Sequence, residues 1–290
     1  MEPHPASMIG EPEPLNFSLS PDATDYSLDL FRKAVPGQIR TREMLRLLHA
    51  QPRERCLDLS DGDAAASSSL TRSGGDWDCL ASTDSGVTAR NRFLPARAAL
   101  FKGLPLPFPD KTFDVAVVGD RMMRLQEAPR LVTELHRVLK PAGSLVLDVA
   151  HARPFSWLRP LQRRLPGFYG GGRFHPGFSD KALFRLLKDG FDVQEVRSYS
   201  RIFLTLVDLL LQQAVQRARI RSDSARRIRR SYAVAYPFFL AAAWVDPLLI
   251  GSRGYRLAVL AKRHIWRPRQ SPVIRGNRPV SRAVLSTVRR

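Results

Sequence analysis

The sequence predicts an α/β domain wound on both faces of a mainly parallel, seven-stranded sheet, with a helical insert before the last strand. Three observations carry this expectation. Short apolar runs alternate with segments of helical periodicity, several of those runs have almost no polar face, and one long interval near the C-terminal end breaks the alternation with two apolar helical stretches. A chain of 290 residues, 44% hydrophobic and 25% charged, has the material for one large core.

Residues 1–25 contain several prolines, Glu2, Glu11 and Glu13, and no helical or strand period, so a flexible arm is expected. Ile39, Met44, Leu45, Leu47 and Leu48 mark an amphipathic helix over Gln38–Ala50, which Gln51-Pro52 closes. Arg55–Leu59 is the first strand. Small residues from Ala64 to Ser69, followed by Leu70, suit a helix lying close on a sheet, and Gly74-Gly75 ends it. Strands follow at Trp77–Ser82, Arg97–Phe101 and Phe113–Gly119, where Val115, Val117 and Val118 predict burial on both faces. Leu131, Val132, Leu135, Val138 and Leu139 place a helix over Glu127–Lys140, with Pro141-Ala142-Gly143 as the turn into strand Ser144–Val149. Asp180–Lys188 is a short helix, Phe191–Tyr199 an alternating strand and Tyr255–Ala261 the last strand. Right-handed crossovers between such units give a Rossmann-like, doubly wound arrangement.

The resulting division is a core over 26–200, a helical cap over 201–254, a final core strand at 255–263 and a basic flexible tail at 264–290. In the cap, apolar helices over Ile202–Val215 and Tyr232–Ile250 are separated by the arginine run. Asp246, Pro237 and Pro247 argue against a membrane-spanning helix in the second.

The formal net charge of +19 concentrates in Arg217, Arg219, Arg221, Arg226, Arg227, Arg229 and Arg230 and in the acid-free tail from Lys262 to Arg290. It predicts attraction to anionic surfaces, with a membrane surface reached through the arginine run as one expected partner. Nucleic acid is disfavoured, since no N-P-P-Y-type motif and no separate recognition domain is present. Cys56 and Cys79 lie in strand-like runs without metal-ligand spacing, so no metal site is expected. The first twenty residues lack the apolar segment of a secretory signal. The expectation is a cytoplasmic protein, peripheral at the inner face of the membrane.

The most specific stretch is Leu106-Pro107-Phe108-Pro109-Asp110-Lys111-Thr112-Phe113-Asp114-Val115-Ala116-Val117, followed by Glu134-Leu135-His136-Arg137-Val138-Leu139-Lys140-Pro141-Ala142-Gly143. In order, residue types and separation it resembles the signature of small-molecule class I S-adenosylmethionine-dependent methyltransferases. The resemblance covers Arg55 to Val149. It implies S-adenosylmethionine as cofactor, held at the carboxyl ends of the first strands, where loop amides face the ligand.

The matching segment is Leu57-Asp58-Leu59-Ser60-Asp61-Gly62-Asp63-Ala64. The family pattern is an acid two residues before a G-x-G-x-G loop. Asp58 and Gly62 match it, while Ser60 and Ala64 replace the flanking glycines, which would strain the backbone at any position requiring positive φ. By resemblance, Asp58 orients the methionine amino end and the backbone of Leu59, Ser60 and Gly62 passes beneath the cofactor. At the end of the second strand the family places an acid on the ribose; here Ala81 or Ser82 stands there, with Asp84 just beyond. Before the "LPF" segment, Lys102 and Gly103 follow Phe101 where another acid is common. Gly119 and Asp120 line the cleft after the fourth strand.

Methyl transfer from a sulfonium is an in-line displacement in which alignment and exclusion of water do much of the work. Should the acceptor be a hydroxyl, Asp120, His151 and His175 are the candidate bases. Phe168 to Gly177, with Gly170-Gly171-Gly172, is a candidate substrate loop. An apolar cap with an arginine face suggests a small-molecule or lipid-like acceptor. The replaced glycines and missing acids leave a second reading open, a catalytically inactive binding protein on the same scaffold. The sequence does not define the oligomeric state.

Overall fold

A computed structural model of the chain describes residues 32–48, 51–60, 64–93, 97–119, 123, 128–152, 177–219, 224–246, 254–265, 273–274 and 278–279. The elements are α1 (Val35–Leu47), β1 (Arg55–Leu59), α2 (Ala64–Thr71), β2 (Asp76–Ala81), α3 (Asp84–Phe93), β3 (Arg97–Leu100), β4 (Phe113–Gly119), α4 (Ala128–Val138), β5 (Leu139–Ala150), α5 (Asp180–Leu187), β6 (Phe191–Tyr199), α6 (Ile202–Arg219), α7 (Ser224–Val245), β7 (Arg256–Arg263) and a small pair, β8 (Val273–Ile274) and β9 (Arg278–Pro279).

Seven strands form one sheet in the order β3-β2-β1-β4-β5-β7-β6. All neighbours run parallel except β7, which is antiparallel to both β5 and β6. Strand alternation divides the core in two. Leu57, Leu59, Ala116, Val118, Leu145 and Leu147 pack with Leu131, Val132 and Leu135 of α4 and Leu183 and Leu187 of α5. On the other face Cys56, Val115, Val117 and Val146 pack with Met44 and Leu47 of α1 and Leu70 of α2. Covering both faces is what allows β4 to be buried throughout.

The signature stretch has a specific structural task. Arg137, on α4, donates to the carbonyls of Leu106 at 3.0 Å and Phe108 at 2.8 Å, and pairs with Asp110 at 2.8 Å and Glu134 at 2.8 Å. Glu134 in turn accepts the N–H of Leu106 at 3.0 Å. Hydrogen bonds from Arg137 hold the Glu134 carboxyl below its ordinary range, and those same partners raise the guanidinium. Phe108 meets Phe113 edge-on with ring centroids 4.8 Å apart. The motif therefore clamps the loop before β4 onto α4, which fixes where β4 begins.

Several expectations are corrected. The segment after the second strand is a helix, α3, not foreseen in the sequence. The arginine run does not separate two helices: α7 begins at Ser224, so Arg226, Arg227, Arg229 and Arg230 occupy its first turns, while Arg217 and Arg219 belong to α6. Pro141 to Gly143 belongs to an extended, irregular start of β5, with Ala142 at φ 61° and a register shift against β4 between Phe113 and Val115. The N-terminal arm and most of the tail lie outside the described residues, and β8 and β9 are the described elements of the tail.

Among the described residues no helix is long and apolar enough to cross a membrane.

Candidate functional site

β1, β2, β4 and β5 all end at the same edge of the sheet, where the register of parallel pairs brings Leu59 beside Val118, and Gly119 beside Asp148. At the centre of that edge Asp58 is fully buried. Its Oδ1 accepts the Ser60 N–H at 2.7 Å. Its Oδ2 and the Ser60 hydroxyl are both buried and have no hydrogen-bond partner among the described residues. A buried carboxylate oxygen without a donor is costly, so this pair asks for a polar ligand. Asp58 also acts on its cross-strand partner: burial and then the Asp58 charge push the Cys79 thiol well above its usual range.

Ser60, one of the two residues in place of a loop glycine, does not sit at positive φ; among the described residues the non-glycine ones that do are Lys111, Ala142 and Ser200. The strain expected for Ser60 is absent, because its side chain replaces hydrogen at an ordinary backbone conformation. Close approach is met instead from β4. A Cβ at Gly119 would collide with the carbonyl of Ser60.

The other sequence-predicted residues distribute as follows. Leu59 turns its side chain into the α4 core and offers only its backbone to the edge. Ala81 is buried and its carbonyl accepts the N–H of Phe101 at 2.8 Å; Ser82 is half-buried. Asp84 is exposed in the first turn of α3, a helix preceded by Thr83, whose hydroxyl accepts the Gly86 N–H at 3.2 Å. Lys102 is exposed and Gly103 has φ 110°, which suits a turn leaving β3. Gly62, Asp120 and His175 lie outside the described residues, as do Phe168–Pro176 of the glycine-rich loop. Its last residue, Gly177, lies against the Ala150 carbonyl and leads into Phe178, which pairs with His151.

His151 follows β5 and is buried. Its Nδ1 lies 3.0 Å from the Gly254 carbonyl, which only accepts, so the Nδ1 proton is donated there. Nε2 lies 3.4 Å from Asp180. Both ring nitrogens thus face protein partners.

A group of residues missed in the sequence lies at the same edge. Asp148, on β5, is fully buried and receives Arg256 and Tyr199; Arg256 Nε is 3.1 Å from Asp148 Oδ1 and 3.1 Å from the Tyr199 hydroxyl. Arg40 of α1 adds its Nε at 3.3 Å. Burial alone would raise Asp148, but Arg256 and Arg40 outweigh it and the carboxyl is held below its ordinary range. Burial and the Asp148 charge push the Tyr199 phenol far up. Asp208 on α6 feels burial more than the opposing pull of Arg40, and is raised. The available signal was a lone acid inside the otherwise apolar run Leu145–Val149, which has to find partners. Arg90 was missed as well: it is 2% exposed and donates to Ser67 at 3.1 Å, behind the end of β2. No cluster of histidine, cysteine or acidic residues suited to a metal occurs among the described residues.

Residues 57–147 match the model of a family described as "Methyltransferase domain". The demethylmenaquinone methyltransferase of Corynebacterium efficiens is 31% identical over 108 residues, 37% of this chain and 45% of the relative. A 2-phytyl-1,4-naphtoquinone methyltransferase of Nostoc sp. is 31% identical over 110 residues, 34% of this chain and 48% of the relative. The chain thus spans about half the length of these relatives. Among solved structures, the [4+2]-cyclase SpnF aligns with a TM-score of 0.52 at 18% identity, covering 77% of this chain and 78% of the other. YcgJ of Bacillus subtilis aligns with 0.51 at 13% identity, covering 78% and 98%. These likenesses confirm the fold.

Proposed function

We propose that the protein, whose residues 57–147 match a methyltransferase-domain family on a sheet of this topology, is an S-adenosylmethionine-dependent methyltransferase acting on a small, lipid-like acceptor of the quinone type. The observation that carries this reading is the buried Asp58 Oδ2 at the carboxyl end of β1, beside the Ser60 hydroxyl, both without a hydrogen-bond partner among the described residues. Donor groups of a bound ligand would satisfy both, and the amino group and hydroxyls of S-adenosylmethionine are such donors. The cofactor supplies an electrophilic methyl group on a sulfonium centre.

Asp58, Leu59, Ser60, Gly62, Ala81, Ser82, Asp84, Lys102, Gly103, Gly119 and Asp120 are the residues we assign to holding it. Gly119 keeps β4 close enough to Ser60 for one continuous wall. Arg137, through its clamp on Leu106 and Phe108, holds the start of β4, at the edge of the sheet opposite the site. Asp120, directly after β4, is the favoured base for an acceptor hydroxyl. His151 and His175 are the alternatives, although the partners on both His151 nitrogens suit a positioning role better. By their names the relatives act on demethylmenaquinone and 2-phytyl-1,4-naphtoquinone, which supports an apolar quinone-type ring as the acceptor. The same acceptor class supports a cytoplasmic protein held peripherally at the inner face of the membrane.

One observation favours the alternative of a binding protein without methyl transfer. The end of β2 offers Ala81 and Ser82 rather than a carboxylate, and Asp84 is exposed on α3. Fold alone does not decide reaction, as a cyclase on the same architecture illustrates. Titration calorimetry with S-adenosylmethionine separates the readings. Saturable binding with thermal stabilisation, followed by methyl transfer to a reduced prenyl-naphthoquinone, is expected; no heat and no stabilisation at saturating ligand would establish the scaffold reading.

A further inference from the structure

α6 and α7 form an antiparallel hairpin whose base is tied by Asp246, which accepts the N–H groups of Phe203 at 2.9 Å and Leu204 at 3.1 Å. Their inner faces make a core of their own: Leu204, Leu211 and Val215 pack with Ile228, Phe239 and Ala242, and the cluster takes in Val35 and Ile39 of α1. That accounts for one face of α7. The opposite face has no partner among the described residues. Val234, Phe238 and Trp244 are 59%, 61% and 85% exposed, and Leu210 on α6 is 57% exposed. Large apolar side chains exposed together mark an interaction surface.

Between the helices runs a groove of about 920 Å³. Its walls are apolar toward the base, with Val207 and Leu210 facing Val234 and Phe238, and cationic toward the open end, with Arg217, Arg227 and Arg230. No described carboxylate pairs with those three arginines. α7 contains no acid from Ser224 to Val245, and Asp208, the one acid of α6, is under the influence of Arg40 and Arg256 on the sheet side. From Val207 to Arg217 the helix rises about 15 Å, roughly half the hydrocarbon thickness of a bilayer and so about the depth of one leaflet. The polarity along the groove is that of an amphiphile with an anionic head.

We propose that the α6–α7 groove is a binding site for one acidic phospholipid, its phosphate on Arg217, Arg227 and Arg230 and an acyl chain laid along Val207, Leu210, Val234 and Phe238. Guanidinium groups suit phosphate because they donate in a planar fork, and the apolar floor excludes a simple hydrophilic anion. This binding requires no methyl donor, so it stands or falls apart from the methyl-transfer reading. Occupied, it would hold the carboxyl edge of the sheet at the bilayer surface, where apolar acceptors reside.

The test is sedimentation of the full chain with vesicles of phosphatidylcholine alone or mixed with phosphatidylglycerol, in the absence of S-adenosylmethionine. The wild type is expected on the mixed vesicles and not on pure phosphatidylcholine. The double substitution Arg227→Gln with Arg230→Gln should weaken binding at least about tenfold. Val234→Trp keeps every arginine and adds apolar surface at an exposed position, yet obstructs the groove; it should weaken binding comparably. Unchanged melting temperatures check that both variants fold. Val234→Trp binding as well as wild type would reduce the effect to diffuse charge and overturn the proposal. So would wild type ignoring phosphatidylglycerol, or wild type retaining a neutral prenyl-naphthoquinone in a way that Val234→Trp abolishes and the arginine substitutions do not.

Discussion

The Asp58 carboxylate accepts the Ser60 N–H at 2.7 Å through one oxygen and leaves the other buried without a hydrogen-bond partner among the described residues. The first contact fixes the turn out of β1, and the second is a standing cost to the unliganded protein. Stability and ligand binding therefore pull Asp58 in opposite directions.

Asp58→Ala deletes both the buried oxygen without a partner among the described residues and the acceptor of the Ser60 N–H, two opposed effects, so only a small net change in melting temperature is expected. The same substitution should weaken S-adenosylmethionine at least about tenfold, because a charge-assisted hydrogen bond of roughly 1.5–3 kcal/mol is removed. Thermal melts with and without ligand measure both. A wild-type ligand shift in the variant would dismiss Asp58 as a contact.

Arg137→Lys retains the charge but not the fork that reaches Leu106, Phe108, Asp110 and Glu134 together. It is expected to cost about 2 kcal/mol in urea unfolding, with Glu134 moving back toward its ordinary pKa. A loss under about 0.5 kcal/mol would mean the clamp does not secure the loop.

Asp148→Asn leaves Arg256 and Arg40 facing an amide in a buried setting, so a loss of about 3–5 kcal/mol is expected. Because Asp148 is depressed in the folded state, its contribution is complete above the unfolded carboxyl value of about 3.9 and disappears as pH falls through the lower folded value. Asp208 is shifted the other way, so Asp208→Asn should be neutral or stabilising at pH 7. Unfolding midpoints for both variants at pH 7 and well below about pH 3.9 test the opposed signs.

Alkali should unfold the chain gradually. Burial, then Glu54, raises the Cys56 thiol to about 12, so the folded state keeps a proton that the unfolded state releases from about pH 8.5. Stability present below that point falls as pH rises toward the folded value, by at most about 1.4 kcal/mol per unit from this thiol. Cys56→Ala should flatten the slope of urea midpoints between pH 8.5 and 10; an unchanged slope would count against it.

Strand positions were legible because burial on both faces leaves a wholly apolar run, as in Val115 to Val118. The helix over Asp84–Phe93 was not, since Asp84, Arg90, Asn91 and Arg92 break any apolar stripe, and its largest buried side chain is an arginine. The signature from Leu106 to Gly143 identified the fold because its residues hold one another; that is also why it says little about the acceptor. At the site, Asp58 could be placed from the sequence, since it sits within the first strand, two residues before the loop. The Asp148, Tyr199, Arg256 and Arg40 group could not, because four separate elements converge on it. The loop at Ser60 was expected to be strained, but whether a missing glycine matters depends on a φ angle that residue identity does not reveal.

The Ser200 carbonyl accepts the Tyr255 N–H at 2.8 Å, so the long excursion through α6 and α7 leaves and rejoins the sheet at one hydrogen-bonded gate. Seen from β6 and β7, the hairpin is an oversized loop on an ordinary antiparallel turn. Such a module can be lengthened, reshaped or exchanged with little effect on strand register, provided that α1 keeps a cover for Val35 and Ile39. The surface beside the carboxyl edge of the sheet can thus diverge among descendants of this scaffold while the edge itself stays as it is.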